Sequence, residues 1–224
     1  MFDLNLLKSP FFIIKNLQQN LVRQYGPRLT GKVLDIGCGR RPYRNFLAAK
    51  EYVGIDPDPN VEPDVVANVP GLPFENESFD GVLCTEVLEH TAEPKEALKD
   101  IRRVLKSGGL LYLSAPMSWC LHYEPKDFFR YTKFGLKYLL EKTGFEILEI
   151  ERIGGFASLC AQRKIDVFYF LLLRLKVPEK LALVLLAPFS VLSYLLSLFF
   201  DKIDERDALG WMVLATKKYP HSSH

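Results

Sequence analysis

Two stretches of the chain carry residue types whose spacing suits chemistry. The first is "GKVLDIGCGRRPYRNFL", Gly31 to Leu47, where an apolar strand pattern runs into Gly37 and Gly39. A short glycine-bearing loop after a strand lets backbone approach a ligand closely. A dinucleotide would need a third glycine and a helix N-terminus open to its pyrophosphate. Here Arg40, Arg41 and Pro42 follow instead, and they occupy the room which that approach requires. Asp56 closes the strand "YVGID", where a carboxylate can accept both hydroxyls of a ribose. A ribose partner without a diphosphate site points to a nucleoside that carries no phosphate.

The second stretch is "PMSWCLHYEPKDFFRYTKFG", which brings together His122, Tyr123, Glu124, Asp127, Arg130 and Tyr131. Such a mix of titratable and aromatic side chains suits a substrate pocket. His122 is the first candidate for a base, since imidazole takes up protons near neutrality. Tyr131 and His90, the latter from "VLEH", complete the catalytic candidates, with His90 read more as a supporting histidine. Asp127 and Arg130 read as an ion pair that orders the loop, and Glu86 and Glu89 as acids on a helix surface. The 4 cysteines, Cys38, Cys84, Cys120 and Cys160, match no zinc spacing and read as reduced, mostly buried thiols, so no metal ligand set is expected.

The elements that must position these groups follow from periodicity. Phe11, Ile14, Leu17, Leu21 and Val22 predict a helix over 11–25, ahead of Pro27. Strands are expected at "KVLDIG", "YVGID", "DVVANV", "FDGVLCTEVLEH", "LLYLSAP", "EILEIERI" and "GWMVLATKK". Helices are expected at "YRNFLA", at "EPKEALKDIRRVLKSGG" up to its glycine pair, and at "TKFGLKYLLEKTGF". This alternation predicts parallel strands with crossover helices in an α/β sandwich. The division expected is an N-terminal helical segment at 1–29, a main domain at 30–154 with 211–218, and an apolar helical insertion at 155–210. The net charge is +2 and no basic block stands out, so no nucleic-acid partner is expected. Asp3 and the short apolar run Phe11–Ile14 argue against a secretory signal.

"VLDIGCG", "GID", "LPFENESFDGVLCTEVLEH" and "LKSGGLLYLSAP", in this order, resemble class I S-adenosylmethionine-dependent methyltransferases, over about residues 30–155 and the strand at 211–218. The resemblance implies a Rossmann-like three-layer sandwich whose mostly parallel seven-stranded sheet has an antiparallel last strand. It implies S-adenosyl-L-methionine as cofactor, with Asp35, Gly37, Cys38 and Gly39 around the methionine end and Asp56, followed by Pro57, at the ribose. Asn68 falls where the family meets the adenine amino group, Val69 would pack on the ring, and Cys84 and Thr85 would lie near the methionyl portion. Arg41 departs from the family, where glycine is common, and puts the loop conformation in question. "HYEPKDFFRYT" is similar to a signature of methyltransferases in cell-surface glycan and lipid pathways.

"LALVLLAPFSVLSYLLSLFF", Leu181 to Phe200, carries no charge and would span about 30 Å as a helix. A single membrane crossing would separate the sixth and seventh strands, which must share a sheet. The geometries left are a hairpin bent near Pro178 and Pro188 that dips into one leaflet, a pair of interfacial helices, and a lid or dimer contact. Ser190, Ser193, Tyr194 and Ser197 form one small, mildly polar helix face suited to packing. Arg163, Lys164, Arg174, Lys176 and Lys180 flank the apolar stretches and suit anionic headgroups. Taken together, the sequence reads as an S-adenosylmethionine-dependent methyltransferase of a small-molecule or lipid-like acceptor, methylating oxygen on a lipid, quinone-like or lipid-linked saccharide molecule. It is expected in the cytoplasm, peripheral on the inner membrane face through 165–203. The alternatives are a NAD-dependent oxidoreductase, opposed by Arg41 and Pro42, and a non-catalytic cofactor-binding scaffold.

Overall fold

The computed structural model describes residues 3–218. The chain divides into two compact units, one formed by residues up to Leu21 with Arg152–Gly210, the other by Val22–Glu151 with the strand from Trp211 onward. Helix α1 (Phe12–Tyr25) contributes residues to both.

The sheet is built from β1 (Thr30–Ile36), β2 (Ala48–Asp56), β3 (Val65–Val66), β4 (Phe79–Thr85), β5 (Leu105–Pro116), β6 (Phe145–Ile153) and β7 (Gly210–Lys217), in the order β3-β2-β1-β4-β5-β7-β6. Pairing is parallel from β3 through β5, and β7 runs antiparallel to β5. Strand order reverses between β1 and β4, which opens a crevice beyond the carboxyl ends of the strands. Val33, Leu34 and Ile36 of β1 are fully buried, as a strand covered on both faces requires. Ile36 pairs with Ile55 of β2 and with Cys84 of β4, so all three strands end at one level.

Helix α2 (Pro94–Val104) opens with proline, whose missing N–H would be unpaired there, and buries Ala97, Leu98, Ile101 and Val104 as one stripe. It stops four residues before Gly108, short of the expected glycine pair, because the chain enters β5 directly at Leu105. The glycines serve the strand instead: a Cβ on Gly109 would lie 2.9 Å from Leu105 and Lys106, where β5 irregularly joins β4. Helix α3 (Lys133–Lys142) is capped by Thr132, whose hydroxyl accepts from the Gly135 N–H at 3.0 Å. The helix expected at "YRNFLA" is absent. β2 begins already at Ala48, and the link from β1 holds only a single 3₁₀ turn at Arg44–Phe46.

The other unit centres on a helical hairpin, α4 (Phe156–Arg174) and α5 (Glu179–Phe200). The chain turns ahead of Pro178, whereas Pro188 lies inside α5 without ending it. Phe12, Ile13, Ile165 and Tyr194 form its core, with Phe12 and Tyr194 edge-to-face at 5.8 Å. Asp201 accepts from both the backbone N–H and the hydroxyl of Ser158, which fastens the end of α5 to the start of α4. On α5 the buried side chains are Ala182, Ser190, Tyr194 and Ser197, while Val184, Phe189 and Phe199 are 65–68% exposed. Polarity on this helix is therefore inverted relative to an ordinary surface helix.

Ile101 touches no solvent, so Ile101→Ala should cost about 2–5 kcal/mol in urea unfolding at unchanged slope. The exposed Lys99→Ala should stay within about 0.5 kcal/mol of the parent.

Candidate active site

The crevice at the strand ends holds a cavity of about 410 Å³, within the range of small-molecule sites. Its floor is the glycine loop. Gly37 has φ +68°, and a Cβ there would run into Val87, so the loop lies flush against the segment after β4. Gly39 has φ +49° and open space beside it. Asp56 lines the cavity at the end of β2. Its Oδ2 accepts from the Gly39 N–H at 3.0 Å and its Oδ1 from the Asp58 N–H at 2.9 Å. Two backbone donors thus fix this carboxylate, and its further lone pairs are available to a ligand.

Arg41 resolves the question its position raised. It takes φ 57°, the left-handed conformation glycine would adopt, and its guanidinium turns outward to the Glu62 carbonyl and the Asp64 carboxylate at 3.0 and 2.9 Å. The arginine side chain therefore does not fill the ligand's space, contrary to expectation. What opposes a pyrophosphate is the link itself: among the described residues no α-helix lies between β1 and β2 to offer its N-terminus.

Asp35 is buried at the end of β1 and accepts from the Tyr52 hydroxyl at 2.5 Å. Burial pushes its carboxyl up to about 7, against the pull of Tyr52 and Arg41. Along the next wall, Val61, Ala67 and Asn68 line the cavity, and Asn68 Oδ1 accepts from the Val69 N–H at 2.8 Å.

The opposite wall comes from the segment after β4 and the loop after β5. Glu86 sits at φ 54° and accepts from the Ser114 hydroxyl at 2.8 Å. His90 lines the cavity with Nδ1 2.8 Å from the Lys126 carbonyl, and its ring meets His122 edge-to-face at 4.6 Å. His122 is held from behind. Its N–H donates to Asp127 at 3.0 Å, Arg130 grips Asp127 through two bonds of 2.7 Å, and Arg130 also donates to the Cys120 carbonyl at 2.8 Å. The Arg130 guanidinium holds the Asp127 carboxyl far below the usual carboxylate range.

Of the residues singled out from sequence, Gly37, Asp56, Pro57, Asn68, His90, His122 and Tyr123 line the cavity. Asp35, Cys38, Val69 and Cys84 are buried, and like Gly39 and Thr85 they are not among the lining residues. Tyr131 does not line the cavity as expected of a catalytic residue: it is buried, and its hydroxyl donates to the Leu88 carbonyl at 3.1 Å, which steadies the turn carrying His90. Glu86 and Glu89 are not helix-surface acids. Glu86 lines the cavity, and Glu89 is fully buried. The apolar company of both in "VLCTEVLEH" was the signal available for this. All four cysteines are free thiols, Cys120 exposed and Cys160 partly so.

Residues 34–113 match the family model described as a methyltransferase domain. This segment carries a methyltransferase domain of the class I S-adenosylmethionine-dependent kind. A tRNA U34 carboxymethyltransferase of Campylobacter hominis is 30% identical over 132 residues, covering 47% of this chain and 46% of its own length. A ubiquinone biosynthesis O-methyltransferase of Aliivibrio fischeri is 30% identical over 131 residues, covering 50% and 56%. Phosphoethanolamine N-methyltransferase 2 of Haemonchus contortus, solved with S-adenosyl-L-methionine, shares the fold at a TM-score of 0.55 and 20% identity, over 90% of this chain and 53% of that one. The chain spans about half the length of the curated relatives it matches.

The residues of this domain fit the family's cofactor. Gly37 leaves a cradle that a Cβ would close, and a pre-oriented carboxylate, Asp56, borders the same cavity. Gly37→Ala should therefore weaken S-adenosyl-L-methionine binding in calorimetry by about tenfold or more, since it adds both a collision and φ strain of about 1–2 kcal/mol. Asp35 generates a second test. Its folded pKa of about 7 lies above its unfolded value, so the folded state prefers the neutral acid. Stability should fall as pH rises from about 4 to about 7 and then level off. The titratable and charged groups around it are Tyr52, Arg41, Asp56, Cys38, Tyr43 and Cys84. Asp35→Asn should flatten this part of the melting-temperature profile.

Proposed function

We propose that this protein transfers a methyl group from S-adenosyl-L-methionine to a hydroxyl of a small, lipid-like acceptor at a membrane surface. The observation that carries the reading is one cavity bordered by the fixed Asp56 carboxylate on one side and the His90–His122 pair on the other. When bound, the cofactor supplies an electrophilic sulfonium methyl and leaves as a neutral thioether. Asp56 would take the ribose hydroxyls, Asn68 the adenine edge, and the Gly37 backbone the amino-acid end. Alignment then supplies much of the rate, because the leaving group needs no protonation. An acceptor hydroxyl must still lose a proton, and in this reading His122 and His90, which line the same cavity, assist that loss. Similarity to an enzyme named for O-methylation in ubiquinone biosynthesis favours oxygen as the nucleophile.

The membrane part of the reading rests on α4 and α5. Phe168 and Phe170 of α4 and Phe189, Leu192 and Phe199 of α5 are all more than half exposed, while small and polar residues of α5 are buried. An apolar surface of that kind suits the acyl region of a leaflet. In this reading residues 30–154 with 211–218 form the catalytic body and 155–210 the membrane-facing insertion, which places the protein peripherally on the cytoplasmic side.

Asp56→Ala should raise the cofactor Kd by about tenfold or more, whereas His122→Ala should lower transfer to lipid extracts about 10²–10⁴-fold. Calorimetry and a radiolabelled-methyl assay separate these effects, and equal losses in both measurements would contradict the division of roles. Replacing Phe168, Phe189 and Phe199 together by Asp should abolish co-sedimentation with anionic vesicles while leaving the melting temperature nearly unchanged. Retained sedimentation would remove the membrane part of the proposal.

A further inference from the structure

Glu89 touches no solvent, and neither of its carboxylate oxygens has a hydrogen-bond partner. A buried carboxyl left in that state costs several kcal/mol unless something neutralises it. Among the described residues no donor reaches it: His90 Nε2 stands 3.7 Å from Glu89 Oε1, within ion-pair range only when the ring is protonated and too far for a hydrogen bond. Next to this orphaned carboxyl stand two imidazoles. One donor atom from each of Glu89, His90 and His122 lies within 4.8 Å of the others.

The backs of the two rings are equally specific. His90 Nδ1 faces the Lys126 carbonyl at 2.8 Å, and His122 Nδ1 faces the Cys120 carbonyl at 3.2 Å and the Asp127 carboxylate at 3.4 Å. An Nδ1–H donated to a carbonyl or carboxylate leaves the lone pair on Nε2 and fixes the ring's direction. Metal-ligating histidines are oriented in this way.

We infer that Glu89, His90 and His122 form a binding site for a divalent transition-metal ion at the acceptor end of the cavity. Two imidazoles and one carboxylate favour zinc, cobalt, iron or manganese over magnesium or calcium, which prefer all-oxygen sets. Bonds of about 2.1 Å require the three donors to draw together. His122, on the loop between β5 and α3, is the ligand that would have to shift, against the hold of Asp127 and Arg130.

Three protein ligands leave coordination positions open. An acceptor with a hydroxyl, and best with two vicinal oxygens, would fill them. Its oxygen would lose the proton to water more readily beside the ion. That oxygen then bonds to the methyl carbon as the carbon–sulfur bond breaks, its electron pair passing to sulfur. This role rests on the methyl-transfer reading; the binding of the ion does not.

The test titrates chelator-stripped full-length protein with Co²⁺ and Zn²⁺, read by calorimetry and by Co²⁺ visible absorption. One equivalent should bind, and Zn²⁺ should raise the melting temperature. Glu89→Gln and His122→Ala should each weaken binding about tenfold or more, with circular dichroism reporting whether each variant is folded. His122 lies on a loop, so its variant decides the matter should Glu89→Gln fail to fold. Absence of saturable binding by the parent protein, or binding unchanged in His122→Ala, overturns the site and leaves Glu89 as a buried neutral acid. Magnesium that competes as well as zinc overturns the transition-metal assignment. A protein that binds the ion yet methylates nothing would refute the proposed function and leave the site standing.

Discussion

Ile36 pairs with Ile55 on one side and Cys84 on the other, and this register governs the rest of the molecule. Because β1, β2 and β4 end at one level, the three chains that leave them compete for one small volume. The glycine loop, the Asp56 carboxylate and the Glu86–His90 segment are therefore neighbours by necessity. A slip of one residue in either pairing would reverse the direction of its side chains and dissolve the site. The buried apolar run Val33, Leu34 and Ile36 prevents that slip.

At that shared level the backbone is bent sharply. Gly37, Gly39, Arg41 and Glu86 all have positive φ. Two of the four are not glycine, and each is held by interactions that offset its strain. Arg41 is tied to Glu62 and Asp64, while Glu86 is tied to Ser114 through both its backbone N–H and its carboxylate. Asp64 in turn accepts from the Gly54 N–H, so the Arg41 anchor is itself part of the β2 edge. The loop after β5 uses the same device at larger scale, with Asp127 and Arg130 collecting the backbone around Cys120 and His122.

What could be read from the sequence divides along these lines. Apolar runs such as "VLDI" and "VLC" mark strands because burial on both faces leaves no room for polar alternation. Gly37 and Asp56 could be singled out as cavity-lining residues because one follows a buried strand and the other closes one. The one-turn link between β1 and β2 was not visible: "YRNFLA" has helical composition, and only the early start of β2 at Ala48 denies it the length. Glu89 was misread for a related reason. Its burial comes from distant chain, as its carbonyl accepts the N–H groups of Phe128 and Phe129 and so draws the later loop over it. No local pattern contains that information. The inverted polarity of α5 was half visible, since Ser190, Tyr194 and Ser197 announced a packing face but not what they would pack against.

The position of β7 has a consequence for biosynthesis. It lies between β5 and β6, although the chain makes it after both and after the helical hairpin. β6 therefore has no partner on the β5 side until residues beyond 210 leave the ribosome, and the sheet closes only then. The apolar helices emerge while the domain is still open. Whatever they first meet, a lipid surface or a chaperone, they meet before the sheet they belong beside has been completed.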